Sequence, residues 1–249
     1  MNAGVLIIGS LFWDSKPHRI EWRNNHLDIE KSVKVAVPIC YGRISRSRGN
    51  TYTMTFRQDE SLGKAIFVPF VSRISTVDDL IEKSSALWDA EQATKRTTGT
   101  IGSSWGVVGA LFKNEHQLSN EWVNYFQSQV NKEKGIEFSS RSCINENGFL
   151  CIPWLKVVNE ISSLDTDIIF ATVIKPENTL PDPSLVANAW VSQNDGYEEY
   201  FFKNIISGIR TPEDLDIWKI IKGNHPVWLK KDEYAEAIYQ LDMELKENG

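Results

Sequence analysis

The stretch VLIIGSLFWD, residues Val5–Asp14, runs four aliphatic residues straight into Gly9 and Ser10, then continues with Leu11, Phe12 and Trp13. A short continuous apolar run closed by glycine predicts a strand buried on both faces over Val5–Ile8. A solvent-facing loop after such a strand would be polar. This one is apolar, so the glycine corner is itself buried, either for packing or because its backbone lines a small-molecule site.

Working outward, SVKVAVPICYGRIS alternates through Val33, Val35 and Val37 and reads as a second strand interrupted by Pro38. NTYTMTF and GKAIFVPFVS carry the β-branched and aromatic residues of two more strands, joined by the turn RQDESLG. Four strands thus precede the first expected helix, DDLIEKSSALWDAEQ, which Thr76 or Asp78 can cap and whose first turn is acidic. Further strands are expected at SSWGVVGALFK, GFLCIPWLKV and TDIIFATVIK, with a helix at NEWVNYFQSQVNKEK. From about Pro181 the pattern is helical: GYEEYFFKNIISGI ends near Gly208, TPEDLDIWKIIKG opens with a cap and a proline, and KKDEYAEAIYQLDMELKENG closes the chain. No linker or repeat divides the sequence. The expectation is one α+β domain over residues 1–249, with a mixed or barrel-like sheet, helices packed outside it and a helical region over about 181–249.

The 249 residues are 41% hydrophobic and 24% charged, an ordinary globular balance, and the formal charge of −6 argues against a general nucleic-acid or anionic-membrane partner. No apolar run approaches the roughly 20 residues of a membrane span, and Val5–Ile8 is shorter than the about 7–15 residues of a signal-peptide core. A cytoplasmic location is expected. Cys40, Cys143 and Cys151 form no CxxC pair and read as reduced thiols, while the nine tryptophans read first as core fillers. The pattern does not fix an oligomeric state.

Standard catalytic constellations are missing from the sequence. His18, His26, His116 and His225 show no metal-ligand spacing, so no metal is expected. There is no GxxxxGK[ST] or GxGxxG; TTGTIGSSWG reads as a turn, and GSLFW lacks the second glycine of a nucleophile elbow at Ser10. One residue conflicts with its helix. Leu80, Ser84, Leu87 and Glu91 fall on one stripe at i, i+4, i+7 and i+11, which places Glu91 on the inner face. A carboxylate there is either a desolvated acid with a raised pKa, as a general acid or base needs, or a last-turn residue reaching solvent or an arginine.

Together, IIGSLFW after the first strand and ALWDAEQ about 80 residues later resemble the γ-glutamylcyclotransferase superfamily. In that family a Tyr-Gly-Ser-Asn-Leu or Tyr-Gly-Ser-Leu stretch ends the first strand and a glutamate follows on a helix. Gly9, Ser10 and Leu11 match the first element and Glu91 the second; CYGRIS and GKAIFVPF are similar to the family's next strands. YFFKNIISGI with PEDLDIW resembles its C-terminal helix pair, which implies that Tyr200 contributes to the pocket. Two positions depart from the pattern: Ile8 stands where the family usually has tyrosine, and the stretch 92–152 is longer than in compact members, implying an elaborated pocket or a different acceptor group.

The resemblance implies a γ-glutamylcyclotransferase-like mixed β-barrel and release of 5-oxoproline or a related lactam from a small γ-glutamyl amine or peptide. Glu91 would move the proton, and the amides of Gly9, Ser10 and Leu11 would hold the substrate carboxylate or the oxyanion. No cofactor, nucleic acid or membrane is implied. A non-catalytic binding or scaffold protein of the same fold is the alternative, and a thiol hydrolase using Cys40 or Cys143 with His18 or His116 is a third reading.

Overall fold

The structure is a computed structural model that describes residues 1–58, 60–95, 99–132, 143–160, 164–192 and 197–247. The apolar run opens it as strand β1, Ala3–Ile7, buried at every position. Helix α1, Pro17–His26, follows, where only strands were expected. Its polar sequence PHRIEWRNNH hides the helical period, since Arg19 and Trp22 alone are buried; the proline in its first turn was the available signal. Pro38 divides the second expected strand into β2, Val33–Val37, and β3, Ile39–Ser45. β4, Thr51–Phe56, and β5, Gly63–Pro69, come next.

Helix α2, Val77–Glu91, begins in a capping box: the Thr76 hydroxyl accepts from the Asp79 amide, and the Asp79 carboxylate accepts from the Thr76 amide. β6, Gly102–Ser103, and β7, Gly106–Phe112, then form a hairpin, and α3, Gln117–Lys132, follows. Residues 97 and 98 of TTGTIGSSWG lie outside the described residues. Of GFLCIPWLKV only β8, Lys156–Val157, is a strand; Phe149 and Leu150 make isolated bridges, and Pro153 has no N–H to give a ladder. β9, Ile168–Ile174, completes the sheet.

The sheet is mixed and has seven strands in the order β6-β7-β9-β1-β5-β2-β8. β1 lies at its centre, parallel to β9 and antiparallel to β5. The expected closed barrel is not formed by the described residues. Each edge strand is two residues long, too short to zip the two ends together, and after Pro38 strands β3 and β4 leave to make a separate antiparallel ribbon. The architecture is therefore α+β with an open mixed sheet and a ribbon beside it.

The C-terminal region is helical: α4, Pro183–Val191; α5, Glu198–Ser207; α6, Asp214–Asn224; and α7, Ala235–Glu247. Gly208 ends α5 in the left-handed conformation at φ 80°, as a helix stop requires. The start of α6 differs from the sequence expectation. Thr211 donates through its amide and its hydroxyl to the Asp214 carboxylate instead of capping the helix with an accepting hydroxyl. Phe201, Phe202, Trp190 and Trp218 are fully buried among these helices, so four of the large aromatics fill core space.

Candidate active site

At the end of β1 the chain folds back on itself: the Phe12 amide donates to the Gly9 carbonyl at 3.2 Å and the Asp14 amide to the Ser10 carbonyl at 2.8 Å. Helix α1 clamps this corner with two arginines. Arg23 donates to the carbonyls of Leu11 at 2.7 Å and Asp14 at 2.8 Å. Arg19 donates to the Asp14 carboxylate at 2.9 Å and the Ser10 hydroxyl at 3.3 Å, and reaches across to the carbonyls of Ala90 at 3.0 Å and Glu91 at 3.3 Å. One buried guanidinium thus joins the glycine corner to the end of α2. The amides of Gly9, Ser10 and Leu11 donate to no acceptor among the described residues.

Helix α5 closes the corner from the other side. Tyr200 is 5% exposed; its hydroxyl accepts from the Met54 amide at 3.1 Å and would lie 2.9 Å from a β-carbon placed on Gly9. Glycine is needed here for close approach. One helical turn on, Asn204 accepts from the Trp13 indole at 2.7 Å. Burial pushes the Tyr200 phenol above its ordinary range, so it stays protonated.

Leu80, Ser84 and Leu87 are fully buried on α2, and the same stripe carries Glu91 to the cavity. Desolvation raises the Glu91 carboxyl above its usual value, opposed by the charge of Arg19, by the Thr172 hydroxyl and by Arg43. Arg19 stands 3.9 Å from the carboxylate, so the partner is close but not tightly bonded. The Thr172 hydroxyl favours the charged form from nearby, yet it makes no hydrogen bond of normal geometry and is itself buried.

These groups surround one cavity of about 450 Å³, lined by Gly9, Ser10, Leu11, Glu91, Thr172 and Tyr200 among others. All five residues expected from the sequence therefore meet in one place. Sequence reasoning missed Arg19, Arg43, Arg48, Trp105 and Thr172, which also line it. The Arg43 guanidinium lies 4.8 Å from the centre of the Trp105 ring, which stacks on Trp88 at 4.7 Å. Arg48 sits 4.9 Å over the Tyr200 ring. No spacing rule links arginines on a ribbon to a glutamate on a helix.

The thiol reading is not assembled. Cys40 lines a different small cavity with Arg57 and Glu213, Cys143 donates to the Arg57 carbonyl, and His18 pairs with the Gln92 carbonyl. His116 lines a groove on α3. Among the described residues no group of His, Cys, Asp or Glu is arranged to hold a metal ion, and no helix is long and apolar enough to cross a membrane. Comparison with known proteins gives no match to a family model, a curated protein or a solved structure.

Proposed function

We propose that the chain is a γ-glutamylcyclotransferase-like enzyme that releases 5-oxoproline, or a related lactam, from a small γ-glutamyl amine or peptide. The observation that carries this reading is the meeting, in one cavity, of a burial-perturbed carboxyl, Glu91, with the unused amides of Gly9, Ser10 and Leu11.

The reaction is intramolecular, so holding the substrate folded supplies much of the acceleration. Glu91 takes a proton from the substrate α-ammonium, and the freed amine attacks the γ-carbonyl carbon. Negative charge develops on the carbonyl oxygen. The corner amides hold this oxyanion or the α-carboxylate, preorganised by the clamp of Arg19 and Arg23. Glu91 then returns its proton to the departing nitrogen as the old C–N bond breaks, and, ionised again, takes the second proton that the ring nitrogen must shed and passes it to solvent or to the released amine, leaving the lactam and a free amine. A carboxyl whose pKa burial has raised is a stronger base than an exposed one, and Arg19 keeps its ionised form accessible.

The test is Glu91→Gln, which preserves volume but cannot accept the proton. It should stay folded, bind γ-glutamyl ligands about as well as the parent and lose about 10²–10⁴-fold in lactam formation. Release of 5-oxoproline from a panel of γ-glutamyl amines, with thermal melts in parallel, reads the outcome. Equal turnover by the two proteins removes Glu91 as the base. Binding without turnover by the parent makes the chain a non-catalytic binding protein.

A further inference from the structure

Two of the three cysteines, Cys143 and Cys151, stand at the open end of a short hairpin, CINENGFLC, and neither lines the cavity around Glu91. Within the hairpin the Asn145 amide donates to the Phe149 carbonyl at 3.0 Å and the Cys151 amide to the Cys143 carbonyl at 2.8 Å, with Ile144 and Leu150 bridged antiparallel between them. That register sets Cys143 directly opposite Cys151.

Residues opposite each other in an antiparallel pair share a face. Ile144 and Leu150 take the face toward the sheet, where they come within 2.9 and 2.5 Å of a β-carbon placed on Gly109. Alternation along each arm then puts both thiols on the other face. The α-carbons of a hydrogen-bonded antiparallel pair lie about 5.5 Å apart, inside the range of about 4.4–6.8 Å that a disulfide spans.

The two sulfurs are reduced and turned apart. The Cys143 thiol donates to the Arg57 carbonyl at 3.3 Å and the Cys151 thiol to the Phe149 carbonyl at 3.7 Å. A thiol is a weak donor, so turning either side chain toward the other gives up little. Their access to solvent differs: Cys143 is 1% exposed, whereas Cys151 lies on the surface. One sulfur can meet an oxidant in solution, and the second is shielded beside it.

We infer that Cys143 and Cys151 form an oxidation site, a dithiol that a peroxide converts to an intrachain disulfide and that a thiol reductant reopens. The Cys151 thiolate attacks hydrogen peroxide; an S–O bond forms, the O–O bond breaks, and the departing hydroxide leaves Cys151 as a sulfenic acid. Cys143 then gives up its proton and attacks that sulfur, so that the S–S bond forms as the S–O bond breaks and the second oxygen leaves as water. Two electrons pass from the two sulfurs to the peroxide. Desolvation pushes the Cys151 thiol above its usual value, which keeps thiolate scarce and closure slow at neutral pH. Closure takes the Cys143 hydrogen from the Arg57 carbonyl and staples the arms of the hairpin. It is independent of the chemistry proposed at Glu91.

The test treats the folded full-length protein with hydrogen peroxide at about pH 8.5, where thiolate is populated, followed by alkylation, digestion and mass spectrometry. The expected product is a chain two hydrogens lighter that yields a peptide joining Cys143 to Cys151, and dithiothreitol should restore both thiols. Cys151→Ser should abolish the product, while Cys40→Ala should retain it. The peptide map of the parent decides the matter even where a variant folds poorly. Oxidation of Cys151 to the sulfinic acid with Cys143 still reduced overturns the inference, as does a linkage through Cys40 or a disulfide-linked dimer in place of the intrachain bond.

Discussion

Asp214 is buried and Glu91 partly buried, each beside an arginine, and desolvation raises the pKa of both, yet their surroundings differ in kind. Asp214 is wholly buried and accepts from the Tyr41 hydroxyl at 3.1 Å, Arg210 at 3.1 Å, and the Thr211 amide and hydroxyl at 3.0 and 2.8 Å. Glu91 has one arginine at 3.9 Å and an accessible fifth of its side chain beside a cavity. Asp214 stitches α6 to β3 and has no room to react. Glu91 is held loosely enough to bond to something that is not part of the chain. A perturbed pKa alone does not separate these cases, whereas hydrogen-bond saturation and access to a cavity do.

Replacing each acid by alanine gives the largest expected contrast. Asp214→Ala removes the partner of the Tyr41 hydroxyl and the Thr211 amide and breaks a buried ion pair, and it should destabilise the fold by about 3–5 kcal/mol. Glu91→Ala should cost no more than about 1 kcal/mol, because it removes a desolvated carboxyl with few bonds to lose. Chemical denaturation of both variants checks this. Similar losses would mean that Glu91 is structural as well, and the comparison would fail.

A smaller effect sharpens the view of the corner that faces Glu91. Gly9→Ala would set a methyl group 2.9 Å from the Tyr200 hydroxyl, which the Met54 amide holds in place. Displacing the ring should cost about 1–3 kcal/mol and weaken ligand binding. Tyr200→Phe alone should cost about 1 kcal/mol by leaving the Met54 amide unpaired. With the hydroxyl gone, the nearest remaining Tyr200 ring atom to that methyl is 3.7 Å away, an ordinary contact. The double variant should therefore lose less than the two single losses combined, by about 1 kcal/mol in a double-mutant cycle. Simple additivity would show that Gly9 serves something other than close approach of Tyr200.

What the sequence made legible in this site is what repeats locally. The apolar run fixed β1 and its glycine corner, and the spacing of Leu80, Ser84, Leu87 and Glu91 fixed the face of α2 that carries the acid. Tyr200 came from resemblance alone. The arginines were illegible because their partners are distant in sequence: Arg19 gains its role from carbonyls at Ala90 and Glu91, and Arg43 from the Trp105 ring. Helix α1 was hidden for the same reason, since its buried face is an arginine and a tryptophan in place of an aliphatic stripe. The closed barrel was what the resemblance implied; closure depends on edge length and on the break at Pro38, and two-residue edges do not supply it among the described residues.

The smallest effect follows from protonation and bears on both acids. Burial lifts the Glu91 carboxyl above its ordinary 4.5, against the pull of Arg19, Thr172 and Arg43, while Asp14 adds to the rise. The folded protein then holds this proton more tightly than the unfolded chain does. That contribution to stability is complete below about 4.5, the unfolded value, and is lost as pH rises through the higher folded value. The proposed catalysis needs the opposite state, because only the deprotonated carboxylate can act as base, so on that reading turnover should rise over the window in which this stability is lost. Asp214 follows the same sign but has no link to turnover. Melting curves from pH 4 to 8 for the parent and for Glu91→Gln isolate the first group: the variant should gain on the parent as pH rises, and the gain should track the rise in parental rate. Asp214→Asn should likewise gain on the parent as pH rises, while leaving the rate profile in place. Parallel melting curves for parent and Glu91→Gln would mean that Glu91 is not the buried titrating group on which the proposed base chemistry depends.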